Sequence, residues 1–248
     1  MQIRKIPSAQ HLVRYYNDDP EKVCKEIVKS AESPPRFSYG PFIEMLTSAI
    51  RLHEPLAELV AAIKQGVSNE RTRGIYLDLL PHAYRYLTSS RYTYIQPFGD
   101  RLTYNAGRGL IIPVSPICFM GTGAELVVPH ISLWRNDVMD GKRLSLFATI
   151  FDDVIRRDPD FQMASLEFVD LSAPKRSGPR HLTVTPFRDI PLLGKAETTA
   201  MLEVLHAGLA MAEIRLSSKS RIASNVQQRT DNREQPDKNQ GDFFIQPA

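Results

Sequence analysis

Over the first ninety positions the apolar residues recur at helical spacing. Between 11 and 30, Leu12, Tyr15, Tyr16, Val23 and Ile27 form a stripe interrupted at Asn17-Asp18-Asp19-Pro20. There Asp19 fits an N-cap and Pro20 the first turn of a second helix. Ser33-Pro34-Pro35 breaks the chain. Segments 42–52 and 55–65 follow, the latter with Leu56, Leu59, Val60 and Ile63 on one side. Gly66 ends it. Ser68 or Asn69 then caps a helix over 70–87, whose inner face is Ile75, Leu79, Leu80, Ala83 and Leu87. Pro81 lies inside that segment, where a missing N–H and a steric clash should kink or split it.

From position 90 the pattern shortens. Runs at 92–95, 101–104 and 109–114 are aromatic or β-branched and are divided by Gly, Asp, Asn and Pro, so they read as strands. Pro97-Phe98-Gly99-Asp100 reads as a hairpin turn between the first two. Segment 124–134 is a further strand. Segment 144–156 is helical, with apolar residues at 144, 147, 150, 151 and 154. Strands at 165–173 and 182–187 flank a basic loop. A helix over 195–214 turns Met201, Leu202, Leu205, Leu209 and Ala212 inward. The order predicts an α+β fold: a helical subdomain over 1–89, a mixed β-sheet flanked by helices over 90–216, and a tail over 217–248.

The tail is the most informative stretch. Residues 217–239 are rich in Ser, Gln, Asn, Arg and Asp, with Ile222 and Val226 as the only aliphatic anchors. Such a segment buries too little apolar surface to offset its ordering entropy and is expected to be disordered. It ends on two adjacent phenylalanines, and an apolar tip on a polar tether is the form of a docking peptide. A tail that folds back on its own domain, or pairs with a fellow subunit, is the other reading. Gln240-Gly241-Asp242-Phe243-Phe244 resembles the pentapeptide with which bacterial polymerases and repair proteins bind the replication sliding clamp. That motif runs Gln, any residue, Ser or Asp, an apolar residue, then Phe. The resemblance implies that Gln240 enters a polar subsite and that Phe243 and Phe244 fill an apolar pocket, with Asp242 at the Ser/Asp position. Gly241 stands where Leu is frequent, and Phe243 where Leu or Met is usual.

Composition adds limits. With 248 residues, 42% hydrophobic and 24% charged, the chain has the balance of a globular protein with one sizeable core. It has no apolar run of membrane-spanning length and no apolar block near the N-terminus. Cys24 and Cys118 lie far apart in unlike contexts and make neither a disulfide framework nor a metal pair. A cytoplasmic location is the expectation. The net charge of +3 and pI near 8.8 permit nucleic-acid binding. Lys175, Arg176, Arg180 and Arg188 are the candidate contacts to DNA; a solvated basic loop is the other meaning of the same cluster.

One segment carries candidate chemistry. In a strand over 165–173, Leu166, Phe168, Asp170 and Ser172 share a face, so Asp170 projects from the more buried side or its rim. A carboxylate there must be paired, hydrogen-bonded or bound to a cation. With Val127-Val128-Pro129-His130 upstream, the arrangement weakly resembles a degenerate restriction-endonuclease-like PD-(D/E)XK fold. That family sets an acid after Pro on one strand and Asp/Glu-x-Lys on the next, for Mg²⁺-assisted phosphodiester hydrolysis. The resemblance implies Asp170 and His130 as metal ligands and Lys175 as a displaced catalytic lysine. His130 and Ser172 stand where the family has an acid and a lysine, which implies a relative that binds without cutting. Two functions follow as expectations. One is an accessory protein of bacterial DNA replication, DNA repair or a mobile element, hooked to the clamp by its tail and needing no cofactor. The other is a Mg²⁺-dependent nuclease. A structural subunit of a larger complex is a third.

Overall fold

The computed structural model describes residues 6–33, 38–89, 91–99, 102–136, 139–173 and 178–231, with side chains to 218. A short α1 (Ala9–Leu12) and one 3₁₀ turn (Val13–Tyr15) lead to α2 (Pro20–Glu32). Asp19 caps α2, its carboxylate accepting from the Glu21 N–H at 2.9 Å, with Pro20 in the first turn. Then come α3 (Gly40–Arg51), α4 (Leu56–Gly66) and α5 (Glu70–Leu87). Asn69 is the cap of α5 and accepts from the Thr72 N–H at 2.9 Å. Of the kink or split expected at Pro81, the split does not occur: α5 continues through Pro81 as one element. Pro81 forfeits a single backbone bond, while Leu79, Leu80, Ala83, Tyr86 and Leu87 on either side of it are all buried.

Among the described residues seven strands follow. These are β1 (Tyr94–Pro97), β2 (Leu102–Asn105), β3 (Ile111–Val114), β4 (Cys118–Gly121), β5 (Leu126–Ser132), β6 (Ser165–Asp170) and β7 (Thr183–Pro186). Two long helices complete the order: α6 (Gly141–Ile155) between β5 and β6, and α7 (Lys195–Asp231) at the end. The fold is α+β, with a five-stranded mixed sheet in the order β1-β4-β5-β6-β7 and a separate β2-β3 ribbon. Within the larger sheet only β5 and β6 are parallel, and α6 makes their crossover.

Strand pairing departs from the expected hairpin. The β1 strand does not turn at Pro97–Asp100 to pair with β2; it pairs with β4, Tyr94 opposite Gly121. Phe98 is drawn into a ring cluster with Phe119 and Phe161, centroids 6.1 and 5.0 Å away, which carries the chain past that turn. The ribbon closes instead at Gly107-Arg108-Gly109, where all three residues have positive φ (82°, 49°, 77°). The β4 strand, in the apolar run around Cys118, had no expected counterpart.

The two faces of the sheet alternate as the pleat requires. Val128, Leu166 and Phe168 pack toward α1, α2, α6 and α7, while Val127, Ile131, Val169 and Leu171 pack toward α3, α4 and α5. The helical first ninety residues are thereby divided between both faces. On the first face α2 lies along α7, whose Met201, Leu202, Leu205, Leu209, Ala212 and Leu216 are buried. Gly208 permits the close approach: a Cβ there would lie 2.6 Å from Val23 Cβ and 3.1 Å from the Pro20 carbonyl oxygen. Arg215 of α7 reaches Glu21 of α2 at 2.6 Å.

Helix propensity alone favours Gly208→Ala by about 1 kcal/mol. Overpacking against Val23 and the α2 backbone reverses that sign. Gly208→Ala is expected to lower the unfolding free energy by roughly 1–2 kcal/mol in a denaturant titration. A stabilised variant would show that the helices separate freely at this point.

Candidate functional site

The carboxyl ends of the parallel pair β5 and β6 gather the polar groups that the sequence marks for chemistry. The register sets Ser132 opposite Asp170. Beyond them, the carbonyls of Leu133 and Leu171 both accept from Nη1 of Arg180, at 3.1 and 2.7 Å. Arg180 is 3% exposed, and its Nε donates to Asp78 Oδ2 of α5 at 2.6 Å. The same carboxylate oxygen accepts from Arg135 Nη1 at 2.5 Å, and Arg135 Nη2 donates to the Gly178 carbonyl at 2.7 Å. One carboxylate thus stands between two guanidiniums and ties α5 to both strand ends. Such a buried, multiply bonded arginine holds backbone in place. It is not presented to a nucleic-acid backbone.

Asp170 is half-buried at this edge. It accepts from the Ser172 N–H at 3.2 Å and from Ser172 Oγ at 2.7 Å. Burial pushes its carboxyl above the usual carboxylate range, opposed by these bonds, by Ser132 and by the Arg180 charge. Asp170 is therefore satisfied from within the chain.

His130 lies two register pairs deeper, opposite Phe168, and does not join it. Its ring is stacked on Phe168 (5.7 Å, 21°) and packed against Phe147 (4.3 Å) and Phe151 (5.9 Å). Nε2 is buried and has no hydrogen-bond partner among the described residues. Burial, with a smaller contribution from His11, pushes the imidazole down to about 3. Among the described residues no group of three or more His, Cys, Asp or Glu forms a metal-ligand set. The donors found do not fit the Mg²⁺ cluster that the nuclease resemblance implies: an imidazole among phenylalanine rings and one carboxylate bound to its own serine. Lys175 and Arg176 lie outside the described residues, as do Gln240, Asp242, Phe243 and Phe244. Arg188 sits in a 3₁₀ turn (Phe187–Asp189) with its side chain 85% exposed.

A second polar centre went unread in the sequence. Glu167 of β6 faces α5 and is buried, accepting from Tyr86 Oη at 2.7 Å and from Arg91 Nη2 at 2.7 and 2.8 Å. Tyr92 Oη stands 3.3 Å from the same carboxylate. Burial raises the Tyr86 phenol far above its ordinary value, with Glu167 adding to it. Beside this network a cavity of about 470 Å³ opens between the ends of α3 and α5 and the β1 strand. The alternation of Tyr and Arg over 84–94 was the signal available for it.

No protein-family model matches the chain, and no curated protein is similar to it. Among the described residues no helix is long and apolar enough to cross a membrane.

Two outcomes follow from these environments. His130 has a folded-state pKa below its unfolded value of 6.5, so protons favour the unfolded chain. Its contribution to stability is complete above pH 6.5 and is lost as pH falls toward about 3. The expected slope in that window is about 1.4 kcal/mol per pH unit, and His130→Leu should flatten it in denaturant titrations across pH. Arg180→Ala removes the donor to two strand-end carbonyls and leaves Asp78 with Arg135 alone. It should cost roughly 3–5 kcal/mol, read as a fall in unfolding free energy that Arg180→Lys does not recover.

Proposed function

We propose that this chain is an accessory protein of bacterial DNA replication or repair that docks on the sliding clamp through its C-terminal pentapeptide and works by binding. The observation that carries the reading is Gln240-Gly241-Asp242-Phe243-Phe244 itself, the one segment whose residue types and order match a known recognition peptide. Its place supports the reading. The pentapeptide begins nine positions after Asp231, the last residue of α7, and α7 is fixed to the body along α2. The engagement of Asp170 by Ser172 supports a structural part for that carboxylate.

The energetics are adequate for a reversible contact. Burying two phenylalanines contributes roughly 3–6 kcal/mol, and the Gln240 amide adds hydrogen bonds in its subsite. A micromolar dissociation constant needs about 8 kcal/mol.

The full chain titrated against a purified bacterial sliding clamp is expected to bind in the micromolar range. Phe243→Ala combined with Phe244→Ala should abolish that binding and leave the thermal unfolding curve in place. A double variant that binds like the parent would overturn the reading.

A further inference from the structure

Where β4 turns into β5, residues 121–126 and the segment 160–164 line an open hollow of about 570 Å³. Tyr94 of β1 lines it as well. This tyrosine stands opposite Gly121 in the β1–β4 ladder, and its ring lies on that glycine: a Cβ there would come 2.5 Å from Tyr94 Cζ. Phe119 meets the same ring edge to face at 6.5 Å, and Phe161 packs on Phe119 in turn at 5.3 Å. The ring is thus held on the side of the sheet to which Phe161 and the segment after it belong. Tyr94 nevertheless remains 47% exposed.

Met163 lines the same hollow, and at 90% it is the most exposed large apolar side chain among the described residues. An aromatic ring and a thioether are therefore open to solvent in one place. The charged residues in the described lining are Glu125 and Asp160, both acidic and both exposed. Ser165 Oγ donates to Glu125 Oε2 at 2.6 Å and holds that carboxylate in place. Arg156 reaches the Gln162 carbonyl next to Met163, but Asp152 engages it at 2.8 Å and it is not part of the lining. The hollow combines apolar surface with negative charge.

We propose that this hollow docks a basic peptide segment of a partner protein. A lysine or arginine side chain lies against the Tyr94 ring, its charge answered by Glu125 and Asp160, and a neighbouring apolar side chain rests on Met163. The face of a phenol ring attracts a cation, and two carboxylates with no positive charge in the lining favour the same sign. The long stem of either basic residue packs on apolar surface while its head stays wet. An unbranched thioether accommodates apolar side chains of varied shape. An anion would meet two carboxylates, and a wholly apolar anchor would bury them unpaired. The pentapeptide 240–244 carries no lysine or arginine, so this contact goes beyond the clamp reading and does not rest on it.

The test is fluorescence anisotropy of a dye-tagged peptide of repeated Lys-Ala-Leu titrated with the full chain at low salt, beside the same peptide with glutamine for lysine. The lysine peptide is expected to bind and the glutamine peptide to fail. Tyr94→Ala should weaken binding by roughly fivefold, and Tyr94→Phe, which keeps the ring, should bind like the parent. Glu125→Gln combined with Asp160→Asn should also weaken it by roughly fivefold. Glu44→Gln combined with Glu58→Gln removes the same charge from exposed positions on α3 and α4 and should leave affinity unchanged. With isotope-labelled methionine methyls, the Met163 resonance, identified by its loss in Met163→Leu, should shift on titration. Any of five results overturns the proposal: no binding of the lysine peptide, equal binding of the glutamine peptide, full affinity in Tyr94→Ala, an equal loss from the α3–α4 pair, or an unmoved Met163 signal.

Discussion

The β5–β6 pair is buried on both faces, and most of the structure answers to that constraint. A strand with helices on both sides has no water to satisfy its polar groups, so each must find a partner in the chain. Glu167 draws Tyr86 and Arg91 to its side of the sheet. The free carbonyls past the strand ends draw in Arg180, and Arg180 in turn needs Asp78. Asp170 closes on Ser172. His130 alone is answered by rings, at the cost of remaining neutral. The polar interior is a consequence of layering, and its members are placed by the backbone they serve.

This explains why the residues singled out for chemistry resolve into structural parts. A carboxylate on a buried strand and a histidine beside a proline carry the residue types of a metal centre. Proximity decides the matter, and proximity is set by register. His130 stands opposite Phe168, two residues short of Ser132, the position opposite Asp170. Tyr94 of β1, by contrast, is half exposed at the edge of the sheet.

The helices were legible because their signals are local. The stripe of Leu59 and Ile63, the caps Asp19 and Asn69, and the inward residues of α7 each lie within a few turns of one another. The strands were legible as segments but not as pairs. Both 97–100 and 107–109 carry turn residues, and the second has the run of left-handed backbone that closes a ribbon. The β4 strand hides behind Pro116 in a run too short to show alternation. Arg180 was read as a surface cation because its partner Asp78 is 102 positions away. The seat of Tyr94 escaped for the same reason, since Gly121, on which its ring lies, is on another strand.

The pairing of α2 with α7 joins opposite ends of the chain: Glu21 and Arg215 are 194 positions apart. During synthesis, α2 leaves the ribosome with Val23, Cys24 and Ile27 facing outward, and its cover does not yet exist. At ordinary translation speeds the wait is roughly ten to forty seconds. Over that interval the nascent chain exposes an amphipathic helix with nothing to lie against. A helix made early is thus among the last to be buried, and α2 depends on shelter until the final helix arrives.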